Sequence, residues 1–176
     1  MSTTFEIPTL HTARLALRAF RVADMDAYAA MEADQEVRRY RGNNPRTREQ
    51  AWASMESLLG QWALRGYGVF ALQRLEDGRF VGFAGILQPA EWREPELAYS
   101  LAREAWGSGL AAEAAQAARD WAFQQRGLPW LASYIIAENA RSIRVAEKLG
   151  AVREGTMELR GFEVERWVHR MAKRDA

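Results

Sequence analysis

The sequence predicts a single mixed α/β domain whose central sheet of about six to seven strands is flanked by about four helices. Several short segments alternate apolar and polar residues, whereas longer ones repeat apolar residues at helical spacing. From Glu96 to Ile136 a strand, a glycine turn, a helix and a strand follow in order, which implies a parallel strand pair with a right-handed crossover. The length of 176 residues suits one domain. We therefore expect one domain over residues 1–176, with a core of about 10–172.

In the first half of the chain, capping and turn signals delimit the elements. Thr47 and Gln50 have capping-box spacing and open a helix that Gly66 ends, and Asp77-Gly78 indicates a hairpin. The apolar residues of that helix are expected in the core. They are Trp52, Met55, Leu58, Leu59 and Trp62. The other predicted elements are a helix from Asp24 to Met31 and strands at Arg14–Arg18, Tyr67–Arg74 and Phe80–Leu87.

The second half is predicted to alternate strands and helices before a final hairpin. The alanine-rich stretch from about Leu110 to Gln125 favours a helix, in which Trp121 is expected to face the core. Asn139 suits the start of a second helix that ends near Leu149. The predicted strands are Glu96–Leu101, Trp130–Ile136, about Ala151–Leu159 and Glu163–Met171.

Composition excludes several kinds of site. The sequence has no cysteine and two histidines, so disulfides, a thiol nucleophile and thiolate or multi-histidine metal sites are excluded. The net charge of +1, with arginines spread among acidic residues, gives no signal for nucleic acid. No apolar run approaches the ~20 residues that span a membrane, and residues 1–8 lack a signal-peptide pattern. We expect a cytoplasmic protein that binds neither nucleic acid nor membrane and needs no metal.

The turn Trp106-Gly107-Ser108-Gly109-Leu110-Ala111 lies between a predicted strand and a predicted helix. The first N–H groups of a helix are unpaired and carry a partial positive charge, and glycines let a ligand approach the backbone closely. These features favour a phosphate site. The turn lacks the endings of a Walker loop and of a dinucleotide-binding loop. By itself, it leaves a plain tight turn open as an interpretation.

Two motifs at the correct separation resemble the GNAT superfamily, especially its RimJ/RimL-type branch, which acetylates the N-termini of ribosomal proteins. The first is Glu96-Leu-Ala-Tyr99-Ser-Leu101 with Trp106-Gly107-Ser108-Gly109-Leu110-Ala111-Ala112-Glu113-Ala114. The second is Asn139-Ala-Arg-Ser142 with Lys148-Leu149-Gly150, and Arg14-Leu15-x-Leu17-Arg18 also matches. The resemblance covers nearly the whole chain. It implies the acyl-CoA N-acyltransferase fold of that superfamily, with acetyl-CoA as cosubstrate.

The chain departs from the superfamily pattern at several positions. Trp106 stands where the broad superfamily has Gln or Arg, although the RimJ/RimL-type branch commonly has Trp there. Ala98 replaces a glycine, and Ala151 replaces an aromatic residue. Ala146 stands where many members carry a tyrosine general acid. The role of the acid therefore shifts to Ser142 or to water.

The resemblance also implies how the coenzyme is held. Backbone around Leu101 and Ala102 would pair with pantetheine in the manner of strand addition. Asn139 would cap its helix and bond the pantetheine, and Ser142 would bond the sulfur and protonate the departing thiolate. Backbone of the turn would hold the pyrophosphate, so the remaining coenzyme residues are Trp106, Gly107, Ser108, Gly109, Leu110, Ala111 and Ala112.

Glu96 is the candidate general base. Strand alternation places Glu96, Ala98 and Ser100 on one face and the intervening residues on the other. A carboxylate among apolar neighbours has a raised pKa and can take an amine proton directly or through water. Glu94 is the rival carboxylate.

Residues from two loops are expected near the acceptor. Trp92 lies in a proline-containing loop and is expected to line the acceptor pocket with Glu96. Arg38, Arg39 and Arg41 lie on the segment that shapes the acceptor site in the family. We interpret these arginines as a solvated surface, with binding of an acidic substrate as the alternative.

The sequence therefore predicts an acetyl-CoA-dependent N-acetyltransferase that acts on a primary amine by direct attack in a ternary complex, because no cysteine can carry an acyl-enzyme. The acceptor is a protein N-terminus or a small amine such as a polyamine, amino acid or antibiotic, since acceptor specificity lies in variable loops. The missing tyrosine at Ala146 leaves a second hypothesis, a catalytically weak acyl-CoA-binding regulatory module. Many relatives form dimers, so the resemblance implies a homodimer.

Overall fold

A computed structural model of the chain describes residues 5–171, so the ends 1–4 and 172–176 of the predicted domain lie outside the described residues. Within that range, one eight-stranded sheet has the order β1-β2-β3-β4-β5-β6-β8-β7. Neighbouring strands are antiparallel except for the parallel pair β5–β6. The strands are β1 (Leu10–His11), β2 (Leu15–Arg18), β3 (Val69–Arg74), β4 (Phe80–Leu87), β5 (Glu96–Leu101), β6 (Trp130–Ile135), β7 (Val152–Leu159) and β8 (Phe162–Arg170).

The helices of the described chain flank this sheet, and the predicted fold class is confirmed. They are α1 (Met25–Ala33), α2 (Gln35–Arg38), α3 (Arg48–Arg65), α4 (Leu110–Arg126) and α5 (Ala140–Lys148). Strand β1 and helix α2 were not predicted from the sequence, because two and four residues are too few to show a period. Over residues 5–171 no helix combines the length and the apolarity that a membrane crossing requires.

Helix α3 begins and ends where the capping signals predict. The Thr47 hydroxyl accepts a hydrogen bond from the Gln50 N–H at 3.3 Å, and the Gln50 side chain accepts one from the Thr47 N–H at 3.0 Å. Gly66 closes the helix with φ +72°. The prediction that Trp52 lies in the core is wrong, since its side chain is 40% exposed. It lies near the helix start, in a shallow surface depression beside Val22.

Two apolar clusters cover the two faces of the sheet. On one face, α4 packs over a cluster in which Trp62, Phe70 and Trp121 meet with ring centroids 4.9 to 5.4 Å apart. On the other, α1 and α3 pack over a cluster that contains Phe20 and Tyr28, whose ring centroids are 5.4 Å apart. The core positions predicted for Trp62 and Trp121 are confirmed.

The sheet parts between β5 and β6. Strand β5 pairs with β4 over its whole length, from Leu87↔Glu96 to Gly82↔Leu101. It pairs with β6 at Glu96↔Ala132 alone among the described residues. Beyond that point, the backbone of β5 is not paired with β6. The turn that follows β5 and the start of α4 lie at the same end of the strand.

Gly82 allows β4 to lie close against β5, on the side of β5 opposite the opening. Its φ is +148°, and an added Cβ would lie 2.2 Å from the Ser100 carbonyl oxygen and 2.8 Å from Leu101 Cα. We expect Gly82→Ala to lower the free energy of unfolding by about 3 kcal/mol, because neither backbone can yield cheaply. Gly60→Ala is the matched control, since an added Cβ at that helical position would have no described atom from outside its own helical turns within 4 Å. It is expected to stabilise the protein by up to about 1 kcal/mol. Urea unfolding measures both, and equal effects would contradict the prediction.

Candidate active site

A cleft of about 1500 Å³ extends from the opening between β5 and β6 to α2 and α3. Most of the residues predicted from the sequence to form the site line it. They are Trp92, Glu96, Leu101, Trp106, Gly107, Gly109, Ala111, Ala112, Asn139 and Ser142. Ala102 and Leu110 are buried behind this lining, and Ser108 is exposed.

The glycine turn presents an uncapped helix start to the cleft. Gly107 and Gly109 have φ of +74° and +80°, which favours glycine at both positions. The Ser108 hydroxyl donates to the Ala105 carbonyl at 2.7 Å, and the Trp106 indole N–H donates to the Leu101 carbonyl at 2.9 Å. Among the side chains that the structure describes, none caps α4. The first N–H groups of the helix are therefore available to a ligand oxygen.

A salt-bridged brace formed by Arg14 and Glu113 holds this turn, and it was not predicted from the sequence. The Arg14 side chain donates to the Ser108 carbonyl at 2.8 Å and to the Glu113 carboxylate at 2.7 Å. The Glu113 carboxylate also accepts from the Arg14 N–H at 2.9 Å and from the Thr12 hydroxyl at 2.6 Å. Because these partners lie about a hundred positions apart in the chain, no local pattern could have paired them.

The structure corrects the expectation for Ala102. Its N–H donates to the Val81 carbonyl at 2.9 Å, and its own carbonyl accepts from the Ala105 N–H at 2.9 Å. Both backbone groups are therefore engaged within the protein and are not free to pair with a ligand. The open part of β5 lies before it, around Tyr99, because the Leu97 carbonyl accepts from the Ser133 hydroxyl and the Leu101 carbonyl accepts from the Trp106 indole.

Glu96 is a buried carboxyl group at the point where the strands part. Its residue is 9% exposed, and its Oε1 accepts a long hydrogen bond of 3.5 Å from the Tyr134 N–H. Burial raises the pKa of the Glu96 carboxyl to about 8, against the opposing effect of the Arg160 and Arg41 charges. Leu97 and Leu101 are buried in the core, so the predicted alternation along β5 is confirmed.

Glu94 lies nearby in a different environment. Both of its carboxylate oxygens accept from Arg166, at 2.7 and 2.8 Å, and they also accept from the Tyr134 hydroxyl at 2.5 Å and the Trp130 indole at 3.2 Å. The Arg166 hydrogen bonds lower the pKa of the Glu94 carboxyl to about 2, against the effect of burial. A carboxylate held in this way is a weak base.

Asn139 and Ser142 lie at the start of α5, across the cleft from β5. The Asn139 side chain accepts from the Ser142 N–H at 3.3 Å, so its predicted role as N-cap is confirmed. The Tyr99 hydroxyl donates to the Ser142 carbonyl at 3.0 Å and ties β5 to this helix. Burial raises the pKa of Tyr99 and keeps it protonated. Ala146 faces away, in a buried cluster with Ile135 and Trp167.

A hydrogen-bond chain crosses the seam between β5 and β6. The Ser133 hydroxyl donates to the Leu97 carbonyl at 2.8 Å and lies 3.0 Å from His169 Nε2. Since the serine proton is used on the carbonyl, His169 donates to the serine oxygen. Burial lowers the pKa of His169 to about 4, so the ring is neutral. The Ser133 side chain thus takes the place of a backbone hydrogen bond that β5 and β6 do not form at the Leu97 carbonyl.

The wall toward the proposed acceptor contains Trp92, whose ring lies edge-on to Tyr134 at 5.6 Å and beneath the Arg160 guanidinium at 5.1 Å. The arginines of the preceding loop differ from one another. Arg39 is exposed, as expected of a solvated surface, but that interpretation is wrong for Arg38, which is 7% exposed. Arg41 is half-buried and lines the cleft.

Comparisons with known proteins agree with this geometry. A family model described as an acetyltransferase (GNAT) domain matches residues 14–152. An uncharacterized N-acetyltransferase, p20, from Bacillus licheniformis is 30% identical over 157 residues, which are 88% of this chain and 87% of that protein. The crystal structure of an acetyltransferase from Agrobacterium tumefaciens str. C58 is similar with a TM-score of 0.85 and 32% identity, covering 97% of this chain and 99% of that one.

A more distant structure shares the fold alone. The ribosomal-protein-S5-alanine acetyltransferase from Vibrio fischeri is 16% identical, with a TM-score of 0.74 over 93% of this chain and 96% of that one. At this identity the likeness concerns the arrangement of strands and helices. The likeness gives no information about which acceptor this chain uses.

Substitution of Arg14 tests whether its hydrogen bond to the Ser108 carbonyl holds the turn in a shape that binds coenzyme A. We expect Arg14→Ala to raise the Kd for coenzyme A about five-fold, the equivalent of one lost hydrogen bond of about 1 kcal/mol, because the Ser108 carbonyl loses its anchor. Arg79→Ala is the control, since that side chain is exposed and pairs with Asp77 at 3.7 Å. Titration calorimetry gives both constants. An unchanged Kd in Arg14→Ala would show that the turn keeps its shape without the brace.

Proposed function

Since the chain belongs to the GNAT acetyltransferase family and is an N-acetyltransferase, we propose that it moves an acetyl group from acetyl-CoA to a primary amine by direct attack in a ternary complex. One observation carries the proposal. A buried carboxyl group with a pKa of about 8 faces the same cleft as an uncapped helix start and the Ser142 turn of α5. In the proposed reaction the carboxyl group is the base, the helix start binds the phosphate anion and Ser142 is the proton donor, and all three lie at one opening of the sheet.

The residues present fit acetyl-CoA as the donor. Gly107 and Gly109 line the cleft, and the unpaired N–H groups at the start of α4 suit a pyrophosphate. Three cationic side chains of α5 also line the cleft and suit the remaining phosphate charge. They are Arg141, Arg144 and Lys148. The open edge of β5 before Ala102 suits pairing with an extended amide chain.

In the proposed reaction, Glu96 takes the proton from the acceptor ammonium, directly or through water, and leaves a neutral amine. The amine nitrogen forms a bond to the acetyl carbonyl carbon as the carbon–sulfur bond breaks. Ser142, or a water that it orients, gives a proton to the departing sulfur and regains the second proton that the nitrogen loses, so that a neutral amide and a thiol result. Holding both substrates in one cleft contributes several kcal/mol by orientation. The sequence has no cysteine to carry the acetyl group, which favours direct transfer.

Glu96 is preferred to Glu94 on physical grounds. A general base works best when its pKa lies near the operating pH. Burial brings the pKa of Glu96 to about 8, whereas Arg166 holds that of Glu94 at about 2. The homodimer implied by the resemblance and the cytoplasmic location expected from the sequence stay predictions.

A pH profile tests the base. Above pH 8, the Glu96 carboxyl is ionised and can accept a proton, and at pH 7 about a tenth of it is ionised. The rate kcat/KM is therefore expected to rise through an apparent pKa near 8, and Glu96→Gln is expected to lose that rise and 10²- to 10⁴-fold of rate. Any rise due to the acceptor amine itself remains in both proteins.

Glu94→Gln is the matched control. We expect it to lower stability, because Arg166 loses its main partner, while the rise near pH 8 persists. Loss of that rise in Glu94→Gln but not in Glu96→Gln would reverse the assignment. Coenzyme binding with no thiol release on any amine would favour the regulatory module instead.

The acid is tested at Ser142. Ser142→Ala is expected to lower kcat about 10²-fold while the Kd for coenzyme A changes little, because the hydroxyl acts on the departing sulfur. Ser108→Ala is the control, since that hydroxyl bonds the Ala105 carbonyl. Single-turnover kinetics separates the chemical step from product release. An unchanged chemical step in Ser142→Ala would assign the proton to water.

A further inference from the structure

A buried carboxylate at the α2–α3 end of the cleft collects three arginines. Glu32 is fully buried, and its two oxygens lie 3.2 Å from Arg38, 2.7 Å from Arg41 and 3.2 Å from Arg46. We call these four residues the Glu32 cluster. One negative charge faces three positive ones, so two positive charges have no carboxylate within the cluster. Burial and the charge of Arg41 lower the pKa of Arg38 to about 10, as expected where cations crowd.

The other acidic side chains at this end do not neutralise the cluster. Glu36 pairs with the exposed Arg39 at 3.9 Å, and Glu91 pairs with Arg160. Glu96 is the remaining acidic side chain of the cleft wall within residues 5–171, and there it forms no salt bridge with an arginine of the cluster. Uncompensated charge in a partly buried site is costly, and an anionic ligand relieves that cost.

Two of the arginines have donors to spare. Arg41 and Arg46 use Nη1 for their bonds to Glu32, and the same atoms reach the Ser100 hydroxyl at 3.2 Å and the Ser54 hydroxyl at 2.5 Å. Within residues 5–171 these bonds leave the Nη2 side of each guanidinium for a ligand. Both side chains are about a third exposed, at 27% and 32%, and both line the cleft. Arg41 is further fixed over the Phe83 ring at 4.8 Å.

The cluster faces the same acceptor space as the proposed base. Ser100, which Arg41 contacts, lies on the same face of β5 as Glu96, four residues or about 13 Å along the strand. Long arginine and glutamate side chains span much of that distance, and the charge of Arg41 acts on the pKa of Glu96. A single small molecule can therefore reach both ends.

We propose that the acetyl acceptor is an amine that also carries a carboxylate, which Arg41 and Arg46 bind while the amine faces Glu96. The inference rests on the proposed function and adds the substrate class. Guanidinium groups bind carboxylates with paired, charge-assisted hydrogen bonds. The same two positive charges repel a polyamine, so the cluster selects by repulsion as well as by attraction. The carboxylate belongs to a free amino acid or to an acidic side chain near a peptide N-terminus.

Matched acceptors test the charge requirement. Thiol release is measured with ω-amino acids of two to six carbons, with their amides, and with diamines of the same lengths. We expect kcat/KM to be at least ten-fold higher for one or more amino acids than for the matching amide, and lower still for the diamine. Peptides with Asp or Asn at the second position form a parallel arm that separates the two sources of the carboxylate.

Substitutions of the arginines test whether the Glu32 cluster causes the preference for acceptors that carry a carboxylate. Arg41→Gln and Arg46→Gln are each expected to raise KM for the preferred amino acid about ten-fold, the equivalent of about 1.4 kcal/mol, whereas KM for the matching amide and the Kd for coenzyme A change little. Loss of the Arg41 charge also raises the pKa of Glu96, which is expected to lower kcat on the amino acid and on its amide to the same extent. Arg41→Lys keeps the charge and is expected to restore part of the preference. Arg39→Gln, which removes an exposed arginine outside the cluster, is expected to behave as the unchanged protein.

The outcomes separate this inference from the proposed function. Equal rates on amino acids and amides, a preference for diamines, or a preference that survives both glutamine variants would overturn the inference and leave acetyl transfer intact. Calorimetric titration with glutarate provides a readout without turnover, in which binding is expected to weaken in Arg41→Gln. If no amine is acetylated but glutarate binds in this way, the proposed function fails and the anion site stands. If glutarate does not bind, the anion site fails.

Discussion

The parting of β5 from β6 is the constraint on which the rest of the site depends. The two strands pair at Glu96↔Ala132, and beyond that point the backbone of β5 is open. Gly82 holds β5 from the other side, and the Ser133 hydroxyl takes the place of a ladder bond at the Leu97 carbonyl. The opening would otherwise leave buried polar backbone without partners, which costs free energy. A ligand that pairs with the strand removes that cost.

Three glutamate side chains near the cleft differ in their chemical properties because their surroundings differ. Glu94 is saturated by Arg166 and the Tyr134 hydroxyl and stays ionised. Glu96 has one long hydrogen bond and a raised pKa. Glu32 has more cationic partners than it can neutralise. The environment, and not the residue type, therefore separates a structural ion pair, a candidate base and a candidate anion site.

Much of this was predictable from the sequence because its signals are local. The capping box at Thr47, the N-cap at Asn139 and the alternation along β5 depend on neighbouring residues, and the structure has each of them. The Arg14–Glu113 brace was not predictable, since about a hundred positions separate its partners. The backbone engagement of Ala102 and the exposure of Trp52 depend on how whole elements pack.

The central claim is that the opening and the uncapped start of α4 together hold the coenzyme. Amide hydrogen exchange with and without coenzyme A tests it most directly, because the bonds proposed are to backbone groups. We expect slower exchange at residues 107–112 and in the second half of β5, with little change in the exposed strand β7. Protection that appears elsewhere, or a turn whose amides exchange as fast with coenzyme A as without it, would contradict the account.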